Sequence, residues 1–172
     1  SSDLIDSDFF IMMDSDDVIN KKININILNK YLNLNSWDAL SFNRPSYYDI
    51  WALIYYPFIH HCWGFGENSL NICNIMRNDI IQKLSKLKDD ELFECFSAFN
   101  GFAIYRTDKF KDIKYDGEIQ IYFNEQTMNN SLNIIRKEYN LNYLNIVLRK
   151  ENCEHIGFHI NAIIKNNARI RI

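Results

Sequence analysis

Several common attributes are missing from this chain, and each absence closes off a class of function. There is no excess of basic charge: 19 Lys and Arg face 22 Asp and Glu, for a net charge of −3. Without that excess a phosphate backbone or an anionic membrane surface is not neutralised, which sets nucleic acid aside as a partner. Long hydrophobic runs are also missing. Polar residues break the longest apolar stretches before the ~20 residues that a bilayer span requires, and the acidic start, Ser1 to Asp8, is unlike a signal peptide. Cysteine is sparse: Cys62, Cys73, Cys95 and Cys153 form no C-x-x-C pair, so neither a zinc ribbon nor a dense disulfide framework is indicated. A reducing compartment such as the cytoplasm is the expectation. Glycine and proline number only 5 and 2, and no low-complexity linker, internal repeat or charge block marks a domain boundary.

What the chain does have is core material. With 47% apolar and 15% aromatic residues among 172, it can bury one sizeable core, and a single domain spanning 1–172 is expected. Phe9-Phe10-Ile11-Met12-Met13 is an unbroken apolar run that reads as a strand buried on both faces of a mostly parallel sheet. Ligands of open α/β sheets collect beyond the carboxyl ends of the strands, and Asp14-Ser15-Asp16-Asp17 stands there.

Further along, Ile23, Ile27, Leu28, Tyr31 and Leu34 recur at helical spacing behind Asn20 as N-cap, which predicts a helix over 21–34. Trp37 to Phe42 alternates like a half-buried strand, Asn43 to Ser46 is a turn, and an aromatic-rich run from Asp49 to Tyr56 stops at Pro57. Leu70, Cys73, Met76, Ile80, Leu84 and Leu87 give the longest helical stripe, over 69–87. Asn100-Gly101 makes a sharp bend into a strand over 102–105. A strand over 119–123, a helix over 127–139 and a last buried strand over 143–148 follow. That strand leads to Cys153-Glu154-His155-Ile156-Gly157-Phe158-His159. Strands alternating with helices predict an α/β fold.

Two carboxylates one residue apart, on a tight loop at the end of a buried strand, can hold one divalent cation through hard oxygens and leave positions for phosphate oxygens. Asp14 and Asp16 have that arrangement, although a D-x-D alone also occurs in ordinary turns. The string resembles the first motif of haloacid-dehalogenase-type phosphatases. That resemblance implies a Mg²⁺-dependent phosphohydrolase with Asp14 as nucleophile and Asp16 as acid/base. The same family needs a further acidic pair after an apolar strand, whereas Asp89-Asp90 follow a Lys-rich helix end.

A second resemblance covers nearly the whole chain. Its segments are Phe9 to Asp17, Trp37 to Asn43 with Tyr47 to Leu53, Phe99 to Tyr105, and Cys153 to His159, in that order. Together they resemble the catalytic half of a nucleotide-sugar-dependent glycosyltransferase of the GT-A fold. The resemblance implies a mostly parallel sheet flanked by helices and transfer of a sugar, in the commonest case from a UDP-sugar, to a hydroxyl of a saccharide or protein. It also implies Mn²⁺ or Mg²⁺ on Asp14 and Asp16, bridging the diphosphate. Asn100-Gly101 corresponds to the loop where donor sugar and acceptor meet, and His155 or His159 to a late histidine that completes the metal shell. Such enzymes carry a nucleotide-binding βαβ segment ahead of the D-x-D strand, and only about a dozen residues precede it here. The expectation is a chain lacking part of that segment, with weak nucleotide affinity.

An inverting enzyme also needs a carboxylate as base for the acceptor hydroxyl. Glu154, beside the histidines, and Asp49, in the aromatic run, are the candidates. Glu154 can instead orient His155, and Asp49 can instead accept buried backbone N–H groups. His159 is the favoured ligand of the two histidines, because Gly157 lets the chain bend toward Asp14. Tyr47, Tyr48, Trp51, Tyr55, Tyr56, Phe58, Trp63 and Phe65 offer core or a sugar-stacking surface, with Trp63-Gly64-Phe65-Gly66 the expected exposed part. His60, His61 and Cys62 with Cys153, His155 and His159 can be drawn together as a zinc site, and a catalytically silent sugar-binding or assembly module is the reading outside catalysis.

Overall fold

A computed structural model describes residues 7–15, 24–43, 46–117, 122–147 and 152–172. Along the chain come β1 (Phe9–Met13), α1 (Ile25–Leu32), β2 (Ala39–Ser41), a 3-10 helix (Cys62–Asn68) and α2 (Ser69–Leu84). Next are β3 (Glu94–Cys95), β4 (Phe102–Arg106), α3 (Thr107–Phe110), α4 (Glu125–Glu138), α5 (Glu154–Asn166) and β5 (Ile170–Arg171). The strands form one five-stranded sheet in the order β1-β4-β2-β5-β3.

The fold is α/β with a mixed sheet between helices, not the mostly parallel sheet the sequence suggests. Among the described residues β2 and β5 are the one parallel pair, while β1–β4, β2–β4 and β3–β5 run antiparallel. β1 and β2 do point the same way, as a strand–helix–strand reading expects. β4 then inserts between them in the opposite sense, and alternation of elements along a sequence does not encode who becomes whose neighbour. The outcome for function is unchanged in one respect: the carboxyl ends of β1, β2 and β5 share one end of the sheet.

One face of the sheet carries the main core, where Tyr105, Ala103 and Ala39 meet Met76, Ile80, Phe110, Ile156, Phe158 and Ile160 from the helices. The other face carries a smaller cluster of Trp37, Leu40, Phe102 and Ile104, covered by Leu28, Tyr31 and Leu32 of α1. β1 is therefore an edge strand rather than a strand buried on both sides. Phe10 and Met12 pack on the main core, but Ile11 and Met13 are more than half exposed on the other face.

α1 starts later than the helical spacing suggests, with Asn24 as its cap: Asn24 Oδ1 accepts the Asn26 N–H at 3.0 Å. Asn20 lies outside the described residues, as does most of the strand expected over 119–123. The strand expected over 143–148 does not form in its described part, 143–147. Leu144 is buried there, yet the backbone is bonded elsewhere, Val147 N–H to Gly64 O at 2.8 Å and Leu144 O to the Arg136 guanidinium. The place beside β2 is taken by β5. Arg169 docks that strand, donating from its backbone N–H and its Nε to Asp38 Oδ2 at 2.8 and 2.9 Å and from Nη2 to Oδ1 at 3.1 Å. No helix among the described residues is long and apolar enough to cross a membrane.

Candidate functional site

The bend at Asn100-Gly101 organises the end of the sheet. Both residues have left-handed backbones, φ +56° and +86°, which Asn and Gly tolerate best. The Asp14 N–H donates to Gly101 O at 3.0 Å, so the residue leaving β1 is fastened to the residue entering β4. The Asn100 side chain, buried to 1% exposure, donates from Nδ2 to Phe42 O at 2.9 Å. Its Oδ1 accepts the N–H groups of Tyr48 and Asp49 at 2.6 and 3.3 Å. One amide therefore ties the exit of β2 to the loop that carries Asp49. Tyr47, in that loop, is a bulky residue at φ +32°, a strained conformation held by the structure around it.

Three carboxylates reach this end from separate segments: Asp14 beyond β1, Asp49 in the clamped loop, and Glu154 in the first turn of α5. Burial raises the Asp49 carboxyl to about 6, and the charges of Asp14 and Glu154 push it the same way. Hydrogen bonds from the Ala52 and Trp51 N–H groups favour its ionised form and limit the rise. Glu154 is exposed to solvent. The first turn of α5 lies against the bend, because His155 stacks on Phe99 with ring centroids 3.8 Å apart and planes at 16°. Asp16, the second carboxylate of the D-x-D, lies outside the described residues.

α5 is helical over the full stretch from Glu154, which puts His155 and His159 on one face, 5.9 Å apart and near parallel. His159 is not available as a metal ligand in this arrangement. Ser97 donates its one hydroxyl proton to Ala52 O at 2.6 Å, so its oxygen accepts from His159 Nδ1–H at 2.9 Å. His159 Nε2 then accepts from the Tyr105 hydroxyl at 3.1 Å, and no lone pair remains for a cation. Complete burial, with His155 nearby, holds His159 far below the usual imidazole range and keeps it neutral. Gly157 does not bend the chain toward Asp14: it lies inside α5, where a glycine makes no turn, and Tyr122 and the Asp116 carbonyl close over it.

No family, curated protein or solved structure matches this chain. What the site can do must be argued from its own side chains.

The hard oxygens of Asp14 suit Mn²⁺ or Mg²⁺. Among the described residues, however, no three His, Cys, Asp or Glu side chains lie close enough to hold an ion together. An ion there would need its remaining ligands from outside that set, such as diphosphate and water oxygens. The zinc arrangement does not assemble among the described residues: the His60 and His61 rings lie against each other, 4.5 Å between centroids and tilted by 46°, and the Cys62 thiol hydrogen-bonds to Cys73.

The aromatic run divides sharply. Tyr47, Tyr55, Phe58 and Phe65 are core, while Tyr48 and Trp51, on either side of Asp49, are 44% and 40% exposed. The exposed surface expected at Trp63 to Gly66 is instead partly folded inward, since Gly64 and Phe65 are buried in the 3-10 helix. A cavity of about 130 Å³ opens near the carboxyl ends of β2 and β5, among Tyr31, Ser41, Phe42, Asn43, Leu84 and Ile172. Sequence reasoning passed over Ser97 and Tyr105, the partners of His159, and Tyr115, whose hydroxyl meets His155 Nε2 at 3.1 Å. A half-exposed tyrosine in an irregular stretch carries no periodicity or motif that would mark it.

Proposed function

We propose that this chain is a metal-dependent glycosyltransferase that moves a sugar from a UDP-sugar to a hydroxyl acceptor. The observation that carries the reading is the meeting of Asp14, Asp49, Glu154 and the Asn100-Gly101 bend at one sheet end, from four segments far apart in sequence. A divalent cation on Asp14 and Asp16, with the diphosphate as co-ligand, would supply charge stabilisation for the leaving group. Neither histidine is assigned to it.

Of the two candidate bases, Glu154 fits the role. It is exposed and stands on the rigid first turn of a 13-residue helix, where an acceptor hydroxyl can approach it. Asp49 has its Oδ1 committed to the Ala52 N–H at 3.1 Å, so it shapes the loop and accepts hydrogen bonds from sugar hydroxyls. Tyr48 and Trp51, beside it, offer apolar faces for the C–H surface of a sugar.

The test is a thermal-shift screen of UDP-sugars with and without Mn²⁺, because a ligand that binds only the folded state raises its melting temperature. A Mn²⁺-dependent rise with a UDP-sugar is expected in wild type and equally in Glu154→Gln, while sugar transfer is lost in Glu154→Gln. Turnover of an aryl phosphate that ends with Asp14→Asn would replace this reading with a phosphohydrolase.

A further inference from the structure

The pair formed by Tyr115 and His155 stands beside the three carboxylates and is used by nothing in the reading above. Tyr115 is 45% exposed, whereas His155 is 7% exposed, with its ring stacked on Phe99. Tyr115 meets His155 edge-on, at 5.2 Å between centroids and 76°, and Phe158 likewise at 5.5 Å and 79°. These contacts fix the tyrosine ring. Its hydroxyl lies within the field of Glu154, Asp14 and Asp49.

The direction of the hydrogen bond between the two follows from what surrounds the imidazole. Burial lowers His155 to about 4, so at neutral pH the ring carries one proton. Nδ1 is buried and has no partner among the described residues. With the proton on Nδ1, the site would hold a buried N–H with no acceptor among the described residues, a situation folded proteins avoid more strictly than an unfilled lone pair. With the proton on Nε2, that N–H donates to the Tyr115 oxygen at 3.1 Å, and Nδ1 is a bare lone pair. The second arrangement leaves the tyrosine's own proton free. Burial and then the neighbouring acidic charges raise the phenol well above its ordinary value, so that proton stays in place at any physiological pH.

The carboxylates accept and do not donate, which suits the hydroxyls of a sugar. Phosphate oxygens also only accept, and they need a donor. We propose that Tyr115 is a ligand-binding residue of this site: its hydroxyl, fixed by a hydrogen bond from His155 Nε2–H, donates its proton to a phosphate oxygen of the nucleotide-sugar diphosphate. This inference rests on the glycosyltransferase reading for its ligand but not for the direction of the hydrogen bond.

The experiment has two parts, both on the full chain. Nitrogen-15 NMR of the free protein reports the His155 tautomer; the Nε2–H form is expected, and the Nδ1–H form would overturn the inference. Calorimetric titration of UDP and of UDP-glucose in Mn²⁺ then compares wild type with Tyr115→Phe, which keeps the ring and its packing. Loss of a neutral donor to a charged acceptor is expected to weaken both ligands about tenfold. Equal affinities in wild type and Tyr115→Phe would overturn the inference and leave the glycosyltransferase reading standing. So would a loss with UDP-glucose alone, because the donor would then serve the sugar. Absence of any binding by wild type would sink both together.

Discussion

Replacing Asp49 by asparagine separates what the site needs from what the fold prefers. The carboxyl titrates at about 6 in the folded chain against an ordinary value of 3.8. The rise means that the folded state binds this proton more tightly than the unfolded chain does. Wild-type stability therefore declines as pH climbs from about 4 to about 6, and this contribution is flat on either side of that window. A rise of roughly two pKa units, at 1.36 kcal/mol for each, corresponds to a cost on the order of 3 kcal/mol at neutral pH. Asp49→Asn has no charge to desolvate and no repulsion from Asp14 or Glu154, and its amide oxygen can still accept the Ala52 N–H. The variant is expected to be more stable than wild type by up to about 3 kcal/mol at about pH 8, and to show almost no gain near pH 3, where the wild-type carboxyl is already protonated. Urea denaturation at the two pH values measures the difference directly. Sugar transfer should fall in the same variant, the pattern of a group retained for function at the expense of stability. A gain of equal size at both pH values, or none at about pH 8, would refute the reasoning.

His159→Ala should cost about 3 kcal/mol, from the cavity and from the Tyr105 hydroxyl left without its acceptor, while Mn²⁺ affinity measured by titration on the folded protein stays as in wild type. A selective loss of Mn²⁺ binding would restore His159 as a ligand. Asn100→Ala removes three hydrogen bonds and places Ala at φ +56°, so a loss of at least about 3 kcal/mol in denaturant unfolding is expected. Asn100→Gly loses the same bonds without the strain, and should be the more stable of the two by about 1 kcal/mol.

The parts of the site that were legible in the sequence are those where local chemistry demands a residue type. Asp14 closes an apolar run, and Asn100-Gly101 supplies two consecutive left-handed residues, whereas the spacing after Glu154 fits a helix and an extended segment alike, and only the structure makes it a helix. The parts that were not legible depend on partners far away in the chain. The spacing of His155 and His159 predicts a shared face, but nothing in it announces Ser97, 62 residues distant, or Tyr105, 54 residues distant, which occupy both nitrogens of His159. The order and sense of the strands were not legible for the same reason. β3 and β5 have two residues each, too few for any periodicity, and β5 is placed by the Asp38–Arg169 pair, 131 residues apart in sequence. Leu144, Ile146 and Val147 have the composition of a strand, and only the competing bonds to Gly64 and Arg136 decide that they do not form one.

The central claim is that Asp14 and its neighbours hold a nucleotide diphosphate through a divalent cation. Calorimetric titration of UDP into wild type and Asp14→Asn, each with and without Mn²⁺, tests it most directly. The account predicts UDP binding by wild type that requires Mn²⁺, and no Mn²⁺-dependent binding by a folded Asp14→Asn variant. Binding of UDP by Asp14→Asn with wild-type affinity and the same Mn²⁺ requirement would contradict it.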